Sequence, residues 1–508
     1  MCRLLVALIA AGLVLPAAAR AQSGDSYLCY QAHNTRGAMR FPGRAAMPVA
    51  DRFGARANDL TQPRQVCAPA AIDGGGIGDA ATHLATYQVK RVTPPPAPQA
   101  GLRLTMSIGT LTVDLSRPAL ATAPAATDPL VEPAAPDPAN HQVNHYQCWD
   151  ARRTRDTASL PKDLAVTVAD AFGAPRAYRV KRLRRVCTPA QADGADIERA
   201  AASLACFHVR RASGQARPAP ARGLRVRDDV AAQTLDLTRE ETLCVPATLD
   251  DGRCNGDAAL CERRYDQVAY ATTHNAMSNA DEGWLGPNQQ HGITRQLEDG
   301  IRALMLDTHY DLGVAHLCHA YCELGKEPLV SGLLKIRRYL DLHPEEVVSI
   351  IFEAYISEAD TAAAFAAAGL LPMLHTQPVA APWPTLRHLI DAESRLVVFT
   401  DERGVLPWHH YVWDYASETP FSFETSADLS CAPNRGDPSQ PLFILNHFLT
   451  QLLGSPALAD QINHDPLFID RALACQAERN RLPNFVTVDF YDIGDVFPVT
   501  AALNGLVP

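Results

Sequence analysis

The alternation of hydrophobic and polar residues changes character near residue 254. Before that point, short alternating runs such as Tyr178–Leu183 are typical of β-strands that bury one face. After it, nearly continuous apolar runs such as Glu346–Phe352 alternate with amphipathic helical stretches such as Leu329–Leu342. Continuous apolar strands separated by helices predict a parallel sheet covered by helices. About 250 residues with seven or eight such units fit a (β/α) TIM-type barrel, so this α/β fold is predicted for residues 252–508.

The region before the barrel is duplicated. Tyr27–Ala32 corresponds to Tyr146–Ala151, and Arg64–Ala70 corresponds to Arg184–Ala190. A period of roughly 120 residues is longer than the 20–50 residues of solenoid repeats, so it indicates two whole modules. Neither copy contains a catalytic constellation, and we interpret both as small β-rich modules, stapled by disulfides, with a binding or spacer role.

The cysteines fit this duplication. Of the 13, Cys2 lies in the amino-terminal leader, which leaves an even number for disulfides. Matched positions in the two copies predict one bridge in each, and a further pair occurs in the second copy where the first has threonine at both places. If two cysteines form a disulfide, we expect both to be present or both to be absent in each copy. The predicted bridges are Cys29–Cys67, Cys148–Cys187 and Cys206–Cys244.

Residues 1–21 are expected to be a cleaved secretory signal. Arg3 precedes the apolar run Leu4–Leu15, which is too short to span a bilayer comfortably, and Ala19–Ala21 is a small-x-small cleavage site. No later apolar run reaches the length of about 18 residues that a membrane helix needs, so a secreted or periplasmic protein is predicted. The predicted division is a signal peptide (1–21), a first module (25–125), a linker (126–143), a second module (144–248) and the barrel (252–508).

Five of the predicted barrel strands end in polar or ionisable residues. One such residue is ordinarily a core or capping side chain, but several buried ionisable groups are costly unless they are paired. The carboxyl ends of barrel strands meet at one face, where active sites lie. In chain order, these residues are His274 with Asn275, Asp307, His319, Glu353 and Asp489.

The surrounding motifs resemble those of the phosphatidylinositol-specific phospholipase C-like phosphodiesterase superfamily. Thr273–Ser278 resembles its opening motif, Gln296–Asp307 its helix and second strand, and Leu317–Cys322 the third strand of its secreted branch. The similarity covers residue 254 to the end and is strongest over Tyr270–Glu353. It implies an X-domain-like TIM barrel and a phosphoric diester hydrolase that acts on a phospholipid head group or another phosphodiester.

By this resemblance, His274 is the general base, His319 is the general acid and Asp489 orients the base. Histidine can fill either role near neutral pH because its unperturbed pKa is about 6.5. In the family, a hydroxyl of the substrate's own head group attacks phosphorus and a cyclic phosphate results. His316 is a rival acid, although on a strand its side chain would face away from that of His319. The cysteines on either side of His319 are expected to bridge each other or to bridge elsewhere.

The resemblance also implies a cation. The metal-dependent branch holds Ca²⁺ at positions that Asn275, Asp307 and Glu353 match, and such oxygen ligands suit Ca²⁺ or Mg²⁺, with Ca²⁺ the expected ion. A second acid of that branch is Met305 here, and the arginine of the metal-independent branch is absent near Asp307. A divalent cation site remains the expectation.

Two further residues, His309 and Arg302, are predicted to help balance the substrate's charge. Met305 leaves open an inactive barrel in a secreted binding or adhesion protein. A glycerophosphodiester diesterase would need an Arg-Gly pair after the first histidine and paired acids on strand two, and neither is present. A net charge of -10 gives no general case for nucleic acid as a partner, whereas peripheral contact with a membrane surface stays an option.

Overall fold

The computed structural model describes residues 24–200, 202–218, 221–450 and 454–506. These residues divide into two compact units, with the division between Leu249 and Asp250. The predicted signal peptide lies outside the described residues. Within those ranges, no helix is both long enough and apolar enough to cross a membrane.

The first unit is built of antiparallel strands. The alternation of buried and exposed residues, clear at Arg44–Asp51 and Gln99–Met106, is that of strands with one face in the core. The strands are β1 (Ser26–Asn34), β2 (Arg44–Asp51), β3 (Gly54–Ile72), β4 (His83–Thr93), β5 (Gln99–Met106), β6 (Gly109–Asp128), β7 (Tyr146–Arg153), β8 (Ala165–Asp170), β9 (Gly173–Ala192), β10 (Ser203–Arg211), β11 (Ala221–Arg227) and β12 (Ala232–Asp250).

Eight of these strands form a closed ring. Antiparallel pairing runs through β1, β3, β4, β6, β7, β9, β10 and β12 and returns to β1. The pairs β6–β7 and β12–β1 join the two copies of the duplication, and closure leaves none of the eight strands with an unpaired edge. Two separate repeat modules at 25–125 and 144–248 are therefore not confirmed. The copies are halves of one large antiparallel sheet.

The ring also contains a finer repeat of about 60 residues. Each of its quarters is a strand, a shorter hairpin strand and a long strand. Each long strand carries the pattern Cys/Thr-x-Pro-Ala, which begins at Cys67, Thr122, Cys187 and Cys244. The duplication seen in the sequence therefore spans two quarters in each copy.

Disulfides join directly opposite residues of neighbouring ring strands in three quarters. The bridges Cys29–Cys67, Cys148–Cys187 and Cys206–Cys244 have Cα–Cα distances of 3.8 or 3.9 Å and lie in one buried cluster. They confirm the pairing predicted from the duplication. In the remaining quarter, Thr86 lies opposite Thr122 at the equivalent place.

Hydrogen bonds from buried aromatic side chains tie the first half of the ring to the second. In each case, an aromatic residue of one half donates to an aspartate of the other half. The pairs are Tyr30–Asp170 at 2.6 Å, Tyr87–Asp228 at 2.7 Å and Trp149–Asp51 at 2.9 Å. The corresponding aromatic of the last quarter is Phe207, which has no polar group to donate.

Asp51 is expected to be critical for the stability of the first unit. Its carboxylate is fully buried, forms a 2.9 Å ion pair with Arg56 and accepts hydrogen bonds from Trp149 and Thr188. Replacing Asp51 with Ala leaves the Arg56 charge buried and unpaired, so the free energy of unfolding should fall by about 3–5 kcal/mol. Urea unfolding of the full chain, followed by circular dichroism, measures this change. The exposed Asp163→Ala is the control, and an equally small effect of both would contradict the assignment.

A pH-dependent contribution is expected from Asp228. Burial raises the pKa of its carboxyl to about 6 in the folded protein, against about 3.9 in an unfolded chain. The stability from this group is therefore fully present below pH 4 and is lost as the pH rises through 6. Between pH 4 and 7, the unfolding free energy of the native chain should fall by about 2 kcal/mol relative to Asp228→Asn. The unfolding free energy of each protein, measured by urea titration at a series of pH values, tests this expectation. The same pH dependence in both proteins would refute it.

The second unit alternates strands with helices. Several helices begin at side chains that cap them, as Ser357 does by accepting the N–H of Asp360. The strands are β13 (Tyr270–Thr273), β14 (Ala303–Asp311), β15 (Val314–Leu317), β16 (Glu327–Pro328), β17 (Val348–Ala354), β18 (Leu396–Thr400), β19 (His409–Tyr411), β20 (Ala416–Glu418), β21 (Leu442–Asn446) and β22 (Phe485–Val488). The α-helices are α1 (Ile293–Asp299), α2 (Leu329–Leu342), α3 (Glu358–Ala367), α4 (Leu386–Asp391), α5 (Pro456–Ile462), α6 (Leu467–Arg479) and α7 (Val496–Leu503).

Eight strands of this unit pair in parallel, in the order β19-β18-β17-β14-β13-β22-β21-β20. Within the described residues, no ladder joins β19 to β20, so a fully closed TIM-type barrel is not confirmed. One face of the sheet packs on the helices, through residues such as Leu304 and Val486, and the other forms a separate aromatic-rich core around Tyr270 and Phe399. Burial on both faces explains the continuous apolar runs of the sequence.

Candidate active site

His274 and Asp489 meet because their strands are neighbours. β13 and β22 place Thr273 opposite Val488, and His274 and Asp489 follow these two residues directly. Nδ1 of His274 lies 2.9 Å from a carboxylate oxygen of Asp489. A carboxylate at Nδ1 favours the tautomer with its proton there, which leaves Nε2 as a proton acceptor. The pair therefore has the arrangement of an oriented general base.

Three residues that the sequence did not single out hold this pair. The Phe448 ring stacks on the His274 imidazole, with centroids 3.9 Å apart and planes at 6°. Asn288 donates to both carboxylate oxygens of Asp489 at 3.2 Å. Gln289 donates to the backbone oxygen of His274 at 2.8 Å. All three residues lie in loops, where no periodic pattern points to them.

The imidazoles of His319 and His274 meet at one end of the side-chain amide of Asn275. One end of this amide lies 3.2 Å from Nε2 of His274 and 3.3 Å from Nε2 of His319, and its other end lies 3.2 Å from both carboxylate oxygens of Asp307. Burial lowers the pKa of His319, and the nearby His274 lowers it further. The structure thus brings both predicted acid–base residues to one space.

The Asn275 amide has two chemically distinct orientations. With its nitrogen toward His274, it donates to a neutral base, and its oxygen then faces the two oxygens of Asp307. This contact of three oxygens is unfavourable unless a proton or a cation lies among them. With its nitrogen toward Asp307, the amide instead donates to that carboxylate and accepts from the Nε2–H groups of the two imidazoles.

Acidic side chains surround the far end of this amide. Asp307 lies opposite Glu353 in the β14–β17 ladder. Burial raises the pKa of Asp307 well above its usual range, and the charges of Glu353 and Asp401 raise it further. Asp401 follows β18 and accepts the N–H of Ala354 at 2.9 Å. Sequence analysis missed it, although it follows an apolar strand in the same way as the other strand-end residues.

His309 also belongs to this group. Its ring stacks on Tyr355, with centroids 4.4 Å apart, and its Nε2 is buried without a hydrogen-bond partner. Burial lowers its pKa, while the charge of Glu353 opposes that shift. An unpartnered ring nitrogen beside acidic groups is available to a ligand.

One other predicted residue is not brought to this space. Arg302 lies just before β14, at the opposite end of the strand from Asp307, and its guanidinium pairs with Glu346 at 2.6 Å. This placement corrects its prediction as a residue that balances substrate charge. The rival acid His316 lies opposite His309 in the β14–β15 ladder, and its Nδ1 donates to the backbone oxygen of Val314 at 2.9 Å.

A separate acidic group lies near the amino end of β17. Among the described residues, ligand oxygens of Asp250, Asp251 and Glu345 lie within 4.8 Å of one another. Glu345 precedes β17, whereas Glu353 lies near the carboxyl end of that strand. Exposed acidic clusters are common without a metal, and this one is assigned no role.

Comparisons with known proteins match this region. The family model described as PI-PLC X 1 matches residues 260–504. PI-PLC X domain-containing protein 1 of Arthroderma benhamiae is 32% identical over 288 residues, covering 51% of this chain and 92% of that protein. An uncharacterized secreted protein of the same organism is 31% identical over 303 residues, covering 53% and 68%. A structure of the F249X mutant of phosphatidylinositol-specific phospholipase C from Staphylococcus aureus shares 12% identity, with a TM-score of 0.35, and covers 48% of this chain and 94% of that one.

Proposed function

Since the chain belongs to the PI-PLC X domain family, we propose that its second unit is a phosphodiesterase that uses His274 and His319 as an acid–base pair. The observation that carries this proposal is the meeting of both Nε2 atoms at one end of the Asn275 amide, at 3.2 and 3.3 Å. The proposed substrate class is a phospholipid head group or a related phosphodiester.

The proposed reaction needs one proton transfer at each histidine. Nε2 of His274 takes the proton of the attacking hydroxyl while the oxygen of that hydroxyl bonds to phosphorus. Asp489 stabilises the resulting imidazolium. The bond from phosphorus to the leaving oxygen breaks, and this oxygen takes a proton from Nε2 of His319. When the attacking hydroxyl belongs to the head group, the product is a cyclic phosphate.

We further propose that Asn275, Asp307 and Glu353 hold a divalent cation, with Ca²⁺ preferred over Mg²⁺. The fit rests on the buried Asp307 carboxyl, which lies opposite Glu353 in the β14–β17 ladder and 3.2 Å from one end of the Asn275 amide. Asp401, on the neighbouring strand, adds negative charge to this pocket. A bound cation supplies positive charge for the phosphoryl oxygens of the transition state.

A second candidate function is binding without turnover. Met305 lies two residues before Asp307, on the same face of β14, where the metal-dependent branch is expected to carry an acid. A thioether there weakens a hard-cation site, because oxygen ligands are preferred. In this case, the second unit recognises a phosphodiester and releases it unchanged.

Export and contact with a membrane surface are also proposed. Six disulfides join described cysteines, and such bonds persist in oxidising compartments. Leu312, at the tip of the β14–β15 hairpin, is 97% exposed, and Tyr310, Tyr321 and Tyr355 are also exposed near the strand ends that carry the histidines. Apolar side chains at that end suit a lipid surface. The first unit is proposed as an accessory domain.

Removal of either histidine tests the catalytic proposal. His274→Ala and His319→Ala should each lower the rate of phosphatidylinositol cleavage about 10²–10⁴-fold, because each removes a proton-transfer group. The assay measures release of the water-soluble head-group phosphate. His316→Ala is the matched control, since it removes a neighbouring imidazole on the same hairpin and should keep near-native activity. Full activity in both test variants would refute the acid–base assignment.

The cation proposal is tested by binding as well as by activity. Asp307→Asn and Glu353→Gln should each weaken Ca²⁺ binding at least about tenfold in calorimetric titration, because each removes a charged ligand. A chelator should lower the activity of the native protein, and added Ca²⁺ should restore it. Glu345→Gln, in the acidic group near the amino end of β17, is the control. Unchanged Ca²⁺ affinity in both test variants would refute the proposed cation site.

A further inference from the structure

We propose that the Cys318–Cys322 disulfide positions the acid His319, an inference that rests on the function proposed above. The two histidines of the site are held differently. His274 has the Asp489 carboxylate at Nδ1. His319 has no carboxylate bonded to its imidazole among the described residues. Apart from the Asn275 amide, which lies 3.3 Å from its Nε2, the orientation of His319 depends on the backbone that carries it.

The disulfide encloses His319 in a short loop whose two ends are anchored. Cys318 is completely buried, and its N–H donates to the backbone oxygen of Asp307 at 3.2 Å. Cys322 packs against the same hydrophobic core. The bridge spans a sequence separation of 4, so the acid sits between two fixed points.

The loop holds a conformation that requires such an anchor. Ala320 has a φ of +56°, in the left-handed region, which costs a residue with a Cβ about 1–3 kcal/mol. The N–H of Tyr321 donates to the backbone oxygen of His319 at 2.6 Å, but the Tyr321 side chain is 69% exposed and adds little packing. Without the crosslink, the turn would relax and carry the imidazole with it.

The bridge is less suited to stabilising the fold as a whole. In the chain-entropy model, the stabilisation by a disulfide grows with the length of the loop that it closes. This bridge has a sequence separation of 4, against 38 or 39 for the bridges of the first unit. Its main effect is therefore expected on local geometry, and a displacement of about 1 Å in a catalytic group can cost roughly 10²-fold in rate.

The identity of the leaving group separates a positioning role from a general structural one. An alkoxide is a poor leaving group and needs the proton of His319, whereas 4-nitrophenolate leaves without one. The base is needed equally for both. A change that impairs only general-acid catalysis therefore lowers the cleavage rate of an alkyl ester much more than that of an aryl ester of the same head group.

The experiment compares the butyl and 4-nitrophenyl esters of myo-inositol 1-phosphate. The double variant Cys318→Ala/Cys322→Ala should lose about 10–100-fold in kcat/KM on the butyl ester and less than about threefold on the nitrophenyl ester. His319→Ala should show the same selectivity with a larger loss. Cys254→Ala/Cys261→Ala removes the other short bridge of this unit and should change neither rate. Circular dichroism verifies that each variant is folded.

Combining the changes completes the test. If the disulfide acts through the acid, adding Cys318→Ala/Cys322→Ala to His319→Ala should cause no further loss on the butyl ester. An additive loss, an equal loss on both esters, or no loss at all would overturn the positioning role. If the native protein cleaves neither ester while Ca²⁺ is present, inositol phosphodiesters fail as the proposed substrates, and the inference falls with them.

Discussion

One amide group, on Asn275, lies between the two imidazoles of the site and the Asp307 carboxyl. The residue leaves β13 with a φ of +45°, a conformation that asparagine tolerates better than most residues. This turn aims one end of the amide at the two histidines and the other at Asp307. An amide has a donor at one end and an acceptor at the other, so its orientation decides whether each side must offer it a donor or an acceptor. The hydrogen bonding of the two histidines and that of Asp307 are thereby linked through one side chain.

The strand-end residues were predictable because they follow from period and topology. Parallel strands place their carboxyl ends at one edge, so His274, Asp307, Glu353 and Asp489 gather as the apolar runs indicate. Asp401 obeys the same rule and could have been found by it. The prediction that Arg302 balances the substrate's charge was wrong because this residue lies at the beginning of its strand, at the edge of the sheet away from the site.

Other parts of the site could not be read from the pattern. Phe448, Asn288 and Gln289 act from loops, whose paths depend on tertiary packing rather than on periodicity. The closed ring of the first unit was also hidden. The duplication was visible, but whether two copies form separate modules or share a sheet depends on how their edge strands pair. The quarter repeat was masked because Thr86 and Thr122 replace one pair of cysteines.

The threonine pair in place of a fourth disulfide makes one quarter of the ring less constrained than the others. Three quarters hold their two ring strands together by a covalent bond, whereas β4 and β6 are joined to their neighbours by hydrogen bonds and packing alone. The hydroxyl of Thr86 is buried without a partner, which adds a small penalty at the same place. Transient opening of the ring is therefore expected to start at β4 and β6, and the three disulfides should confine it to that sector.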